Sequence, residues 1–336
     1  MIQALLAVLL QDEPTLRPGE PKVAKQDARW AVVLPLEADL PDGTVVRARV
    51  RPVLLRFREE RMELEWAESE RGASRRSVSV SGGKAELRLV VPALRRIVVA
   101  WAVEGASARR THVLGPLDER MRVFRDGYER PSKLRARLLE ILKQLEPIEK
   151  SGRGAAGVAA ALDDFLDRCA REPAFPATVG HLEAVAGDAA TFVSWLTRRK
   201  AGADAPAGDP ARSDGVEGEA PSGRRDNRDM GRESSAALRK RLDCVPALLR
   251  AEALLALDAE AVEAIERALA GAAVDARGLR ESLDFLDRAF EREGVPAERA
   301  AHLRRAVAAL ADGDGEALKK AREEVKGREG ADARVR

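Results

Sequence analysis

The chain has 336 residues, room for two or three domains, and its 45% hydrophobic content is enough for real cores and excludes wholesale disorder. Charged residues reach 34% but nearly cancel at +2, which excludes a global electrostatic pull toward nucleic acid or an anionic membrane. Aromatics at 4% leave cores made mostly of Leu, Val and Ala.

Residues Met1 to Leu10 are apolar except for Gln3 and are followed by Gln11-Asp12-Glu13-Pro14. Ten residues are too few to span a bilayer. They read as a signal-like segment within 1–20, although a basic start and a small-residue cleavage site are missing. No other segment is long and apolar enough to cross a membrane.

From Lys22 to about residue 115 the pattern has period two. Strands are expected over Trp30 to Ala38, Thr44 to Phe57, Arg61 to Trp66, Ser77 to Ser81, Lys84 to Val91, Ile97 to Val103 and Arg109 to Leu114. Leu40-Pro41-Asp42-Gly43-Thr44 is a tight-turn sequence, and Gly82-Gly83 between two runs is a hairpin signal. In the second strand Val46, Ala48 and Val50 alternate with Arg47, Arg49 and Arg51, so one face is apolar and the other basic. About seven short strands imply an antiparallel β-sandwich over 22–115. Trp30, Trp66 and Trp101 fall in strands and are expected in its core.

The Leu40-Pro41-Asp42-Gly43-Thr44 turn, the Gly82-Gly83 turn and the later apolar strand resemble the small immunoglobulin-like sandwiches of bacterial exported proteins. The resemblance covers residues 22–114. It implies a structural or interaction module, with no shared catalytic site to carry over.

Beyond Leu117 the period becomes 3.6. Met121 to Arg130 reads as a connector. Ser132 can cap a helix to Glu146, which Pro147 ends. A second helix carries Val158, Leu162, Phe165, Leu166 and Cys169. A third carries Leu182, Val185, Ala189, Phe192, Val193 and Leu196. These make a first α-helical unit over 117–200. Residues 201–234 have almost no apolar side chains and read as a flexible linker. A second unit, 235–326, starts with Leu238, Leu242 and Val245. An extra helix capped by Asp258 follows, then helices with Leu279, Leu283, Leu286 and Phe290 and with Leu303, Val307 and Leu310. Residues 327–336 are expected to fray.

Phe165-Leu166-Asp167-Arg168 recurs as Phe285-Leu286-Asp287-Arg288, 120 positions later, and His181-Leu182 as His302-Leu303. Leu134 to Leu138 is echoed by Leu238 to Leu242. Ordered markers at near-constant spacing suggest a duplication. The expected fold class is therefore multidomain β + α: an N-terminal β-sandwich followed by two related small helical bundles.

The candidate chemistry is sparse. His181 and His302, at matched positions, could be ligands or acid–base groups, but no Cys or carboxylate stands at ligand spacing in sequence, so each is expected at a helix rim beside a core Leu. Asp167-Arg168 and Asp287-Arg288 read as surface ion pairs. Asp312, Asp314, Glu316 and Glu323 fit four positions of a calcium loop, but Ala317 replaces its essential Gly, so a helix–helix turn is expected. Cys169 and Cys244 read as buried thiols, with a disulfide open if the chain is exported. No catalytic, cofactor-binding or metal residue is assigned, and no cofactor is expected. The sequence reads as a non-enzymatic scaffold or protein-binding protein of the cell envelope, with a protein partner and no nucleic acid. A cytoplasmic helical adaptor, or an enzyme or ligand-binding protein with a site between the helical units, are the alternatives.

Overall fold

The computed structural model describes residues 15–335 apart from 27–28, 71, 92–95, 115–116, 152, 172–174 and 204–233. Residues 1–14 of the signal-like segment and nearly all of the expected linker therefore lie outside the described residues. An N-terminal antiparallel β-rich region with two sheets is followed by several helices.

In one sheet the central strand is β3 (Arg29–Ala38), flanked on one side by β1 (Leu16–Pro18) and β2 (Lys22–Gln26), and on the other by β7 (Lys84–Val91). In the other, β4 (Val45–Arg58) pairs with β8 (Arg96–Val103). Strands β5 (Glu63–Glu68) and β6 (Ser74–Ser79) lie on its far side, and β9 (Ala106–Val113) pairs with β8. The alternation sets the inner face: Val32, Leu34 and Leu36 of β3 share one core with Val46 and Ala48 of β4 and Val99 and Trp101 of β8.

Both glycine-bearing turns carry the chain between sheets, and at Gly82-Gly83 the expected hairpin closes for one rung only, Ser81 and Lys84 exchanging backbone hydrogen bonds at 2.8 and 3.1 Å. Leu40 to Thr44 leads from β3 to β4, and Gly82-Gly83 from β6 to β7, and neither pair of flanking strands is hydrogen-bonded as a ladder. The two turns bind each other instead. Gly43 N–H donates to the Val80 carbonyl at 2.8 Å, and Gly82 N–H donates to Asp42 Oδ1 at 2.7 Å. Gly43 and Gly83, at φ of 86° and 71°, adopt a backbone that side-chain-bearing residues rarely take. Trp66 also departs from expectation. Trp101 is 1% exposed in the core, but Trp66 is only partly buried and carries the Arg96 guanidinium 4.7 Å above its ring.

The helices are α1 (Leu117–Gly127), α2 (Arg130–Lys143), α3 (Leu145–Ser151), α4 (Ala155–Ala170), α5 (Pro176–Ala203), α6 (Ser235–Arg241), α7 (Val245–Leu269), α8 (Arg277–Arg292), α9 (Ala301–Asp312) and α10 (Gly315–Asp332). Three differences from the sequence reading have clear causes. The expected connector is the helix α1, whose Met121 and Phe124 are buried. Pro147 lies in the first turn of α3, where its missing N–H costs nothing, and so opens a helix rather than ending one. Asp258 caps nothing: α7 runs unbroken past it, and its 2%-exposed side chain bonds to His302. At the far end, α10 continues through Gly327 to Asp332, and Val335 is buried with its N–H on the Met62 carbonyl, where a frayed tail was expected.

The chain divides into two compact units. The first is Met1–Arg56, Glu65–Arg125 and Ala256–Glu329; the second is Phe57–Leu64, Asp126–Leu255 and Gly330–Arg336. This cuts across the sequential domains 22–115, 117–200 and 235–326, because α7 contributes to both units. Within the first unit, Arg120 of α1 donates to Glu260 and Glu263 of α7 at 2.6 and 2.9 Å, with its side chain only 7% exposed. Within the second, Leu138, Leu142, Leu162, Phe165, Leu182, Val185, Leu238 and Leu242 build one core from α2, α4, α5 and α6.

Candidate functional site

A basic groove is built on the outer face of β4, in the first unit. Residues directly opposite one another on neighbouring strands share a face. Arg47 faces Ser77 of β6 and Ala102 of β8, and Arg49 faces Arg75 and Ala100. The alternation that turns Val46, Ala48 and Val50 inward therefore stacks Arg47, Arg49 and Arg75 outward, over a floor that Ala100 and Ala102 keep low. Together with Arg76 these residues line a groove of about 600 Å³. Two carboxylates on one side neutralise part of the charge. Glu70 accepts from Arg49 at 3.0 Å, and Glu68 accepts from Arg51 at 2.7 Å and from Arg109. Arg47, Arg75 and Arg76 have no carboxylate partner among the described residues. The groove can hold an extended anion by charge and by bidentate guanidinium hydrogen bonds. Among the described residues its lining holds no histidine, cysteine or carboxylate, and Ser77 is its one hydroxyl.

The second unit holds a constellation that spacing along the chain could not reveal. His181 of α5 is buried, and its Nδ1 is 3.6 Å from Glu59 Oε2 while its Nε2 is 3.6 Å from Cys244 Sγ. The order thiol, imidazole, carboxylate matches that of an activated nucleophile. The hydrogen bonds do not. His181 Nε2 lies 2.9 Å from the Arg241 carbonyl, an acceptor that fixes the ring proton on that nitrogen, and the Cys244 thiol donates to the same carbonyl at 3.3 Å. Both groups that would have to exchange a proton are thus donors to a third. Burial, and then the Glu59 charge, push the Cys244 thiol upward, away from thiolate. Arg241 completes the arrangement as a clamp: its Nε and Nη2 donate to both oxygens of Glu59 at 2.9 and 3.1 Å, and Nη1 donates to Asp188 at 2.6 Å. The cluster joins the Glu59–Arg61 turn to α5 and α6 and holds them in register.

The second unit also contains an interior carboxylate. The N–H groups of Ala177 and Thr178, at the start of α5, have no partner within the helix. Phe175, just before it, sits at φ 53° and has no side-chain acceptor to offer. Glu252 of α7, 1% exposed, caps from afar: its carboxylate accepts from Ala177 N–H at 2.7 Å, Thr178 N–H at 2.8 Å and Thr178 Oγ1 at 2.7 Å. Burial pushes its pKa up from 4.5 to about 7 despite the three donors, which act downward.

The residues singled out in sequence are placed as follows. His302 Nε2 is 2.8 Å from Asp258 Oδ1, both buried in the first unit. Asp287 accepts from Arg304 at 2.6 Å; Arg168 donates to Asp164 at 3.2 Å within its own helix. Asp314 Oδ1 accepts from Glu316 N–H at the start of α10, after Gly313 ends α9 at φ 69°, so the acidic run forms a turn between helices. Cys169 and Cys244 form no disulfide. Phe165 is fully buried and Phe285 only partly, the fully buried members of the second marker being Leu286 and Phe290.

No family model, curated protein or solved structure matches the chain. Among the described residues, no helix is long and apolar enough to cross a membrane.

Proposed function

We propose that this chain is a non-enzymatic, modular protein-binding protein of the cell envelope, and that it docks an acidic, extended segment of a partner protein in the arginine groove on β4, β6 and β8. The observation that carries the reading is the cross-strand stacking of Arg47, Arg49 and Arg75 over a floor of alanines, in a groove that Arg76 also lines. An extended chain lying there would meet a guanidinium at successive positions, while the small floor leaves room for its backbone. The envelope location rests on the apolar Met1 to Leu10 run.

The shared core of the two sheets supports the finer fold reading of an immunoglobulin-like sandwich, a class used as interaction modules. The finer reading of the helices as two related bundles is supported by the equal 16-residue lengths of α4 and α8 and by the buried His-Leu pairs. The Phe-Leu-Asp-Arg marker speaks less for it, since its buried residue is Phe165 in α4 and Leu286 in α8.

The test is fluorescence anisotropy of a labelled oligoglutamate peptide with the full chain. Arg47→Glu with Arg75→Glu, both exposed positions, is expected to weaken binding by at least about tenfold, roughly 1.4 kcal/mol. Added salt should weaken wild-type binding as exposed charges are screened. Equal affinity in the variant, or equal affinity for a neutral peptide, would overturn the docking site. Binding to anionic phospholipid vesicles without peptide binding would replace it with a membrane surface. An N-terminal peptide missing from the mature chain by mass spectrometry would support the envelope location, and an intact Met1 would refute it.

A further inference from the structure

A second, unrelated concavity lies in the first unit. It is a cleft of about 490 Å³ between the ends of β8 and β9, the second half of α7, and α10. One of its buried polar groups is His112 of β9, only 3% exposed, which makes no hydrogen bond among the described residues; its Nε2 is buried. Burial, reinforced by the neighbouring Arg110 and opposed by Glu20, lowers its pKa to about 4, so the imidazole is neutral at physiological pH. A buried neutral imidazole without a partner is costly, and its presence at a cleft wall points to a group that would bond to it.

The charges lining it are equal in number, Glu20, Asp258, Glu263 and Glu266 against Arg96, Arg110, Arg267 and Lys326, but they are not all hydrogen-bonded to one another. Every carboxylate lining the cleft already has a cationic or imidazole partner. Asp258 is bonded by His302, Glu263 by Arg120 at 2.9 Å, Glu20 by Arg110, and Glu266 by Lys326 at 2.9 Å. Two lining guanidiniums have no carboxylate hydrogen-bonded to them among the described residues. One is Arg96, whose plane rests over Trp66, and the other is the exposed Arg267. Between them the wall is apolar, with Val113, Val262 and Val325. A nucleotide-sized polyanion would meet four carboxylates. A divalent cation would meet two guanidiniums that no carboxylate hydrogen-bonds. A small molecule with one anionic end and an apolar body suits both these guanidiniums and the valines.

We propose that this cleft binds a small organic carboxylate, its anionic end held by Arg267 and Arg96, its hydrocarbon body against Val113, Val262 and Val325, and a polar atom on His112. Arg forks match carboxylate geometry in two parallel hydrogen bonds, and a mostly apolar pocket with a few convergent polar groups is the usual form of a small-ligand site.

The experiment uses the full chain with a mixture of straight-chain monocarboxylates from butanoate to octanoate plus benzoate, read by ligand-observed saturation-transfer NMR and then by calorimetric titration of the strongest binder. Inorganic phosphate and chloride are the comparison anions. Saturable binding of at least one carboxylate is expected. Arg267→Gln, at an exposed position that carries no fold contact, should weaken it about tenfold or more, the worth of a charge-assisted pair. His112→Phe keeps an aromatic ring in the strand, removes both nitrogens, and should weaken it as well. If His112→Phe fails to fold, Arg267→Gln alone decides. No carboxylate binding, tighter binding of inorganic phosphate than of any carboxylate, or affinity unchanged in Arg267→Gln would overturn the assignment. The arginine groove is untouched by both substitutions, so oligoglutamate binding should persist in them, and the two sites fail or stand separately.

Discussion

Glu252 makes the second unit sensitive to pH in a way that can be worked out in advance. Its carboxylate is held at about 7 in the fold against 4.5 when exposed. Between those values the folded chain keeps a proton that the unfolded chain has released. Stability therefore falls as pH rises through that window and levels off above it, with the folded state binding more protons than the unfolded. A shift of this size corresponds to about 3 kcal/mol, at roughly 1.4 kcal/mol per unit. The three donors from Ala177 and Thr178 set the opposite limit: a side chain that cannot accept leaves them buried and unbonded, at about 1–3 kcal/mol for such a group. Two substitutions separate these effects. Glu252→Gln keeps an acceptor oxygen and cannot ionise, so it should remove this fall with pH, leave the opposite rise that His112 contributes below about pH 6.5, and narrow its deficit to wild type between about pH 5 and about pH 8. Glu252→Ala should be destabilised at both pH values, by about 3 kcal/mol or more, through the orphaned donors and the cavity. The assay is urea unfolding followed by circular dichroism in both buffers. A pH slope identical in wild type and Glu252→Gln would refute the reasoning, because no other change in protonation was removed.

Further expectations follow from the same geometry. Phe165→Ala, at a fully buried position, should cost about 3–5 kcal/mol in denaturant unfolding, and Phe285→Ala, half-buried, roughly half that; equal costs would contradict the difference in burial. Arg120→Ala should destabilise the first unit by about 3–5 kcal/mol, since it strands Glu260 and Glu263 without their cation, and adding Glu263→Gln to it should recover part of the loss. Cys244 should react slowly with a disulfide reagent at neutral pH. Glu59→Gln should speed it by removing the nearby negative charge, and faster reaction in the wild type than in the variant would count against the environment described.

Much of the architecture can be read along the chain where a single rule decides. Period two in β3, β4 and β7 places their core residues, and Val46, Ala48 and Val50 against Arg47 and Arg49 already separates an inner from a basic outer face. The helical stripes of α2, α4 and α5 are equally direct. What could not be read depends on partners distant in sequence. Strands β1 and β2 are short, carry Pro18, Lys22 and Lys25, and are strands only because β3 offers them the edge opposite β7. Gly82-Gly83 satisfies a hairpin rule, yet β4 and β3 compete successfully for β6 and β7. Asp258 has the composition of a cap, but His302 binds it inside an uninterrupted helix. The groove needed the β4–β6 register to bring Arg75 beside Arg49, and the Glu59–His181–Arg241 cluster needed three segments to converge; neither has a signature in local spacing. The repeated Phe-Leu-Asp-Arg marker misleads for a related reason: a rotation of one residue about the helix axis exchanges which member meets the core.

The way the chain threads through its two units also governs how it can be divided and in what order it can fold. The first unit draws on Met1–Arg56, Glu65–Arg125 and Ala256–Glu329, so its strands wait for helices specified more than half the chain later. The second draws mainly on Asp126–Leu255 but is completed by 57–64 and 330–336, where Leu64 N–H meets the Ala333 carbonyl and Val335 N–H meets the Met62 carbonyl. During synthesis, which feeds residues out in sequence, the α2 to α5 core can form locally while the β-rich region still lacks its helical complement. Contacts of such long sequence separation make closure of the first unit the slow step. A cut at any peptide bond between residues 57 and 329 divides both units between the two fragments. Fragments cut at the composition boundaries near residues 115 and 234 would each carry an exposed apolar face in place of an independent domain.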